Sequence, residues 1–116
     1  MEKIGMMPII RRYLLYSKPV DMRLSYDGLM AMVRNALGEN PLSGTVFVFI
    51  NARRTQMKCL YYEPGGLCLW GKRLEAGRFE SSAQAGSVAL SQAEFHALIE
   101  GLKIHSKSRI KRHNIY

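Results

Sequence analysis

The run Thr45-Val46-Phe47-Val48-Phe49-Ile50 constrains the fold of this chain more than any other segment. Six consecutive β-branched and aromatic residues suit an extended backbone. Apolar positions do not alternate with polar ones, so the segment is expected to be a strand buried on both faces. Pro41-Leu42-Ser43-Gly44 before it is a turn, and Asn51-Ala52-Arg53-Arg54-Thr55 after it is a polar loop.

Residues 57–62 and 67–74 flank Glu63-Pro64-Gly65-Gly66. Proline presets the second position of a turn and Gly65 accepts a positive φ, which predicts a type II turn closing a hairpin. With Glu63 and Gly66 ending the turn, Tyr62 faces Leu67, Leu60 faces Leu69 and Cys59 faces Trp70. Met57, Cys59 and Tyr61 then share one face with Cys68 and Trp70. Upstream, Tyr13-Leu14-Leu15-Tyr16 is a first short strand ending at Ser17-Lys18-Pro19. Downstream, Gly77-Arg78-Phe79 turns the chain towards another short extended piece, and residues 81–86 form a small-residue loop.

Two helices complete the pattern. Tyr26, Leu29, Met30, Val33 and Leu37 recur at spacings of three and four, with Asp21 as the expected N-cap and Gly38 at the left-handed end. Gly28 inside this helix costs about 1 kcal/mol against alanine and points to close packing or a local weakening. Ser91-Gln92-Ala93-Glu94 fits a capping box, Leu90 and Phe95 a hydrophobic staple, and Phe95, Leu98, Ile99 and Leu102 a buried stripe that Gly101 ends. Strands joined by short turns imply an α+β fold: a small, largely antiparallel sheet with two main helices packed on one face of it.

The chain has 116 residues, the size of a single domain. Residues 1–102 are expected to form that domain, carrying twelve basic and nine acidic side chains. Residues 103–116 hold Lys103, Lys107, Arg109, Lys111 and Arg112 and no acid, so they contribute +5 of the formal net charge of +8. This is expected to be a flexible basic tail, either a solvated terminus or an arm that follows a phosphate backbone. His105 and His113 add charge below about pH 6.5. Two cysteines do not make a disulfide scaffold in a domain of this size. No apolar run approaches the roughly 20 residues of a membrane span, and the first ten residues do not resemble a secretory signal. A cytoplasmic protein with no membrane partner is the expectation.

Hydrolytic and metal chemistry need clustered acids, histidines or thiolates, and none is legible. Asp21 and Asp27 stand six apart on a helix, off one common face; a cap and a surface or paired carboxylate are favoured over a metal pair. Cys59 and Cys68 bracket the hairpin without zinc-site spacing and are expected to be small buried hydrophobes. His96 has no second ligand four residues on, so it packs or faces solvent. No phosphate-cradling loop, nucleophile elbow or paired-histidine helix is present. No catalytic residue, metal ligand or cofactor is therefore expected. Cations outside the tail remain. Arg53, Arg54, Lys58, Lys72 and Arg73 are expected to gather at the open end of the hairpin, with Arg78 nearby and with Tyr61, Tyr62 and Trp70 in the same hairpin. Basic side chains with aromatics suit nucleic acid, the charges meeting phosphates and the rings stacking on unpaired bases; the plain alternative is a solvated rim over a buried core.

Four blocks, in order, resemble a known family. They are Val20-Asp21-Met22-Arg23 with Tyr26-Asp27-Gly28-Leu29; Asn40-Pro41-Leu42-Ser43-Gly44 with Val46-Phe47-Val48-Phe49; Arg53-Arg54 with Lys58-Cys59-Leu60-Tyr61-Tyr62; and Gly66-Leu67-Cys68-Leu69-Trp70 with Lys72-Arg73-Leu74-Glu75-Ala76-Gly77-Arg78-Phe79. Together they are similar to TnpB, the small second-open-reading-frame proteins of the insertion-sequence group numbered sixty-six, over about residues 13–102. The chain departs from that pattern after Arg78-Phe79, where Glu80-Ser81-Ser82 replaces a tryptophan-proline segment, and at Asn51-Ala52-Arg53-Arg54, where the family has an N-R-R loop. The resemblance implies a non-catalytic accessory role in transposition beside a separate, larger transposase. Its implied partners are the DNA of the element ends and that transposase; a module that docks on the transposase without contacting DNA is the alternative. The oligomeric state stays open. The candidate phosphate contacts are Arg53, Arg54, Lys58, Lys72, Arg73 and Arg78, with Lys107, Arg109, Lys111 and Arg112 in the tail. Asp21, Arg23 and Asp27 are expected to be structural, a cap and an ion-pair set.

Overall fold

A computed structural model of the chain describes residues 11–80 and 86–101. Its strands are β1 (Tyr13–Tyr16), β2 (Val46–Ile50), β3 (Gln56–Glu63), β4 (Gly66–Arg73) and β5 (Ser87–Leu90), and its helices are α1 (Tyr26–Asn35) and α2 (Gln92–Ile99). The strands form one sheet in the order β4-β3-β2-β1-β5. The apolar run therefore occupies the middle strand, and all five β2 residues are buried.

Successive β2 side chains enter two different cores. Val46, Val48 and Ile50 pack with Leu15, Met57, Cys59, Phe95 and Leu98. Phe47 and Phe49 pack with Leu14, Leu29, Val33 and Leu60. The helices thus lie on opposite faces of the sheet, α1 over one and α2 over the other, and not together on one face as expected. The reason is already in β2: side chains alternate across a strand, so a strand apolar at every position needs cover on both sides. Residues 103–116 lie outside the described residues.

The sheet is antiparallel except between β1 and β2, which run parallel with Tyr13 beside Val46. Parallel neighbours need a crossover, and residues 17–45 supply it through α1. The hairpin has the predicted register: Tyr62 is opposite Leu67, Leu60 opposite Leu69 and Cys59 opposite Trp70. Gly65 sits at φ 101°, the turn position that needs a residue without a Cβ.

Asp21 does not cap α1. The helix starts later, at Tyr26, with Ser25 at the N-cap position and no side-chain cap bond. The Asp21 carboxylate instead accepts from the Arg23 amide at 2.9 Å, closing a local turn. Within α1, a Cβ on Gly28 would lie 2.7 Å from Leu24 Cδ2, so the glycine lets the incoming chain lie across the helix. The last turn ends before Gly38, at φ 65°, as expected. In α2 the capping box is complete. The Glu94 amide donates to Ser91 Oγ at 3.0 Å, and the Ser91 amide donates to Glu94 Oε1 at 2.8 Å. Leu90 and Phe95 share one core cluster, as a staple requires. Tyr13 stacks on Phe95 with ring centroids 4.1 Å apart, which seats the helix on β1.

Strand directions give the molecule two different ends. The loops after β1, β2 and β4, and the chain entering β5, all lie at one end of the sheet. The 63–66 turn, the segment entering β2 and the start of α2 lie at the other.

Candidate nucleic-acid interface

The six cations singled out within the domain have different local histories. Asn51 begins the first of them. Its Oδ1 accepts from the amides of Thr55 and Gln56 at 2.9 and 3.0 Å, and its Nδ2 donates to Thr55 Oγ1 at 3.2 Å. One side chain thereby holds the whole β2–β3 loop in shape. The loop leaves Arg53 exposed and turns Arg54 inwards.

Arg54 is a clasp. It is the single non-glycine residue with positive φ among the described residues, at 62°. Its amide donates to Asn51 O at 3.0 Å, and its own carbonyl accepts from the Phe79 amide at 2.7 Å. Its Nε donates to Phe79 O at 2.6 Å. The segment after β4 is pinned beneath the sheet this way, and Phe79 becomes fully buried. Burial pushes the Arg54 guanidinium down from its ordinary value, against the pull of Glu80 and with the push of Arg78. One of its terminal nitrogens, Nη2, is buried without a hydrogen-bond partner among the described residues.

Lys58 and Lys72 are anchors as well. Lys58 Nζ donates to Met22 O at 2.8 Å and to Leu24 O at 2.7 Å, tying the chain before α1 to β3. Lys72 Nζ donates to Ile99 O at 2.8 Å, at the carbonyl end of α2 where a cation is favoured. Met57 is opposite Lys72 and Lys58 is opposite Gly71, so the two lysines belong to opposite faces. The expected cluster is brought to one end of the sheet but is not brought onto one face. Arg53, Arg73 and Arg78 are the three that remain exposed. Lys107, Arg109, Lys111 and Arg112 lie outside the described residues.

The structure adds residues to this end that the sequence had marked as structural or not marked at all. Residues 19–23 together with Asn51, Ala52, Arg53 and Gln56 line an open groove of about 580 Å³. Gln56 pairs directly with Arg73, so that arginine stands on the same face beside the groove. Lys18 is exposed at the same end. Arg23 Nε donates to Asp21 Oδ1 and Oδ2 at 3.1 and 3.0 Å, and its Nη2 donates to Oδ2 at 2.6 Å. That ion pair, together with the Arg23 amide, lowers the Asp21 carboxyl to about 2. The fork remains in solvent, with 90% of the Arg23 side chain and 46% of the Asp21 side chain exposed. The expected ion pair exists, without the expected helix cap. That residues 19–23 line a groove with residues 51–56 has no signal in local periodicity, so the sequence marks Arg23 as an ion-pair partner and not as a groove residue.

Charge pairing differs between the two ends, although exposed Arg34 at the far end also has no acid within ion-pair distance among the described residues. At the far end Arg11 meets Glu63 at 3.4 Å and Arg12 meets Glu39 at 4.0 Å. Among the described residues, Lys18, Arg53, Arg73 and Arg78 have no acid within ion-pair distance.

The aromatics are elsewhere. Trp70 is 38% exposed and pairs with Cys59, on the α2 face of the hairpin. Tyr61 is on that same face, with the Arg11 guanidinium 5.3 Å from its ring centroid. Trp70 and Tyr61 therefore do not share a face with Arg73, whereas Tyr62, opposite Leu67, is on the α1 face towards the far end, and Tyr26 is exposed at the start of α1. Cys59 and Cys68 are free thiols on diagonal positions of that face, the first buried and the second half-buried. Cys68 Sγ donates to Glu63 Oε1 at 3.7 Å. His96 is exposed on α2 with its ring tilted beside Phe95. Among the described residues no group of three or more His, Cys, Asp or Glu is placed to hold a metal ion. No helix among them is long and apolar enough to cross a membrane.

Comparison with known proteins gives a coherent result. A family model described as IS66 Orf2 like protein matches residues 11–109. Two proteins of Sinorhizobium fredii (strain NBRC 101917 / NGR234) are similar to this chain. One, titled uncharacterized protein y4jC, is 35% identical over 102 residues, covering 87% of this chain and 85% of its own. The other, titled uncharacterized protein y4hO, is 37% identical over 83 residues, covering 71% and 72%. No solved structure matches.

Proposed function

Since this chain belongs to the IS66 Orf2-like family, we propose that it is a non-catalytic accessory protein of transposition that binds DNA or the complex of DNA with the transposase. The observation that carries this reading is an end-to-end charge contrast: the far end pairs Arg11 and Arg12 with acids and leaves Arg34 exposed, and the loop end leaves Lys18, Arg53, Arg73 and Arg78 facing solvent. Uncompensated cations at one end of a domain are what a phosphate backbone recruits, through the release of its condensed counterions. The basic residues Lys107, Arg109, Lys111 and Arg112 of the tail add to the same attraction. Lys58, Lys72 and Arg54 act in this reading through the fold, by fixing the loops that present the exposed arginines.

The test is binding of the full chain to element-end DNA across a series of salt concentrations. About five phosphate contacts give a slope of log affinity against log salt near −4.5. Binding that is absent or flat in salt, with capture of the purified transposase retained, overturns the reading in favour of a module that docks on the transposase alone. One observation favours that second reading: Trp70 is an exposed large aromatic on the sheet face opposite to Arg73, and such residues anchor protein interfaces.

A further inference from the structure

We infer that the groove between residues 19–23 and 51–56 is the phosphate-tracking surface for duplex DNA, with Arg23, Arg53 and Arg73 as its contacts and Asp21 as an internal competitor for Arg23. This rests on the DNA-binding reading above and goes further in naming the surface, the form of the nucleic acid and a residue that restrains binding.

Three observations meet here. Arg23 and Arg53 both line one open groove of about 580 Å³. Arg73 is the ladder partner of Gln56, a lining residue, which extends the cationic row across β3 to the edge strand β4. The floor and walls contain no aromatic ring, and Trp70 and Tyr61 are on the opposite face. A surface of guanidinium forks and amides without rings meets phosphates and offers nothing to an unstacked base, so it suits the regular backbone of a duplex. Asp21 holds Arg23 by both carboxylate oxygens, the geometry an arginine uses for a phosphate. A phosphate arriving at the groove must take Arg23 from Asp21, and the displaced carboxylate stays nearby as a like charge. Asp21 therefore weakens binding, and its removal frees one contact.

The experiment measures anisotropy of a fluorescent duplex and of its isolated single strand with the full chain, for wild type and for Arg53→Gln, Arg73→Gln, Asp21→Asn and Arg34→Gln. Arg34 is an exposed residue in the last turn of α1, at the far end, and controls for net charge. Each groove arginine variant is expected to lose about fivefold or more in duplex affinity and to flatten the salt slope by about 0.9, beyond the change in Arg34→Gln. Asp21→Asn is expected to gain about two- to fivefold, the range of an exposed ion pair. The single strand is expected to bind more weakly than the duplex. Thermal melting of each variant checks that folding is retained. If wild type binds the duplex with a steep salt slope while Arg53→Gln and Arg73→Gln match Arg34→Gln, the groove is overturned and the DNA-binding reading stands. If wild type binds no DNA, both fall. An Asp21→Asn protein that binds no better removes the competitor role. Tighter binding of the single strand, lost in Trp70→Ala, moves the interface to the other face and also overturns the inference.

Discussion

Residues of the same charge do opposite jobs within one loop-and-strand unit. Lys58 and Arg53 are both cations of the same loop-and-strand unit, yet Lys58 spends its three donors near two carbonyls and Arg53 points to solvent. Lys58→Met is expected to cost about 1–3 kcal/mol in denaturant-midpoint measurements, since two charge-assisted hydrogen bonds disappear. Arg53→Gln is expected to stay within about 0.5 kcal/mol, as exposed substitutions do. Equal stability of the two variants would deny that Lys58 is an anchor. Asp21 gives a second test at this scale. Its carboxyl is lowered from the ordinary 3.8 to about 2, first by the Arg23 side chain and then by the Arg23 amide. A carboxylate lowered on folding contributes stability that is complete above about pH 4 and is lost as the pH falls towards 2. Carboxyl-carbon NMR of Arg23→Gln should show the Asp21 midpoint returning towards 3.8; an unmoved midpoint would leave the backbone amide as the whole cause.

Elements differ in how far local chemistry determines them. The Ser91–Glu94 box closes on itself within four residues, and no distant partner is needed to predict it. Ser91→Ala is expected to cost about 1 kcal/mol, a fall in thermal midpoint of about 4–8 °C for a domain of this size. A midpoint unchanged within about 1 °C would mean that packing of Phe95 and Leu98 alone sets the helix. The hairpin was equally legible, because Pro64-Gly65 fixes the turn and a period-2 strand then fixes every cross-strand pair. Asp21 misled for a physical reason: an aspartate before a helix can close a local turn instead of capping the helix, and here Arg23 two residues later settles the competition. The side chosen by each helix was less legible still. Periodicity identifies the apolar stripe of a helix but not the sheet face it meets. The run 45–50 held the answer, since full burial of both its faces demands a helix on each. The order strand, helix, strand over residues 13–50 likewise carried the parallel pairing of β1 with β2.

At the scale of the molecule, the domain is a sheet with a core on each face and a charge contrast along its length. The charge contrast was only partly legible: the sequence located the arginines, but which cations are consumed by carbonyls depends on register and on segments far away in the chain. Arg54 reaching Phe79 and Lys72 reaching Ile99 are contacts of this kind, 25 and 27 residues apart. The same long-range closure makes the central strands the most protected part of the structure. Cys59 sits on β3 opposite both Val48 and Trp70, and burial pushes its thiol up to about 12. Cys68 lies on the edge strand β4, half-buried, with its thiol raised chiefly by burial and then by Glu63. A thiolate must form and meet the reagent before either reacts. Edge strands open in local fluctuations, whereas a residue between two paired strands is exposed only when the sheet comes apart. Under native conditions Cys68 is therefore expected to be labelled first, at a rate nearly independent of low denaturant. Cys59 labelling should rise with denaturant as steeply as global unfolding does, followed by mass spectrometry of each site in Cys59→Ala and Cys68→Ala proteins. Rapid labelling of Cys59 in the absence of denaturant would show that β2, β3 and β4 do not form one cooperative unit, and the rigid platform on which the exposed arginines depend would be lost with it.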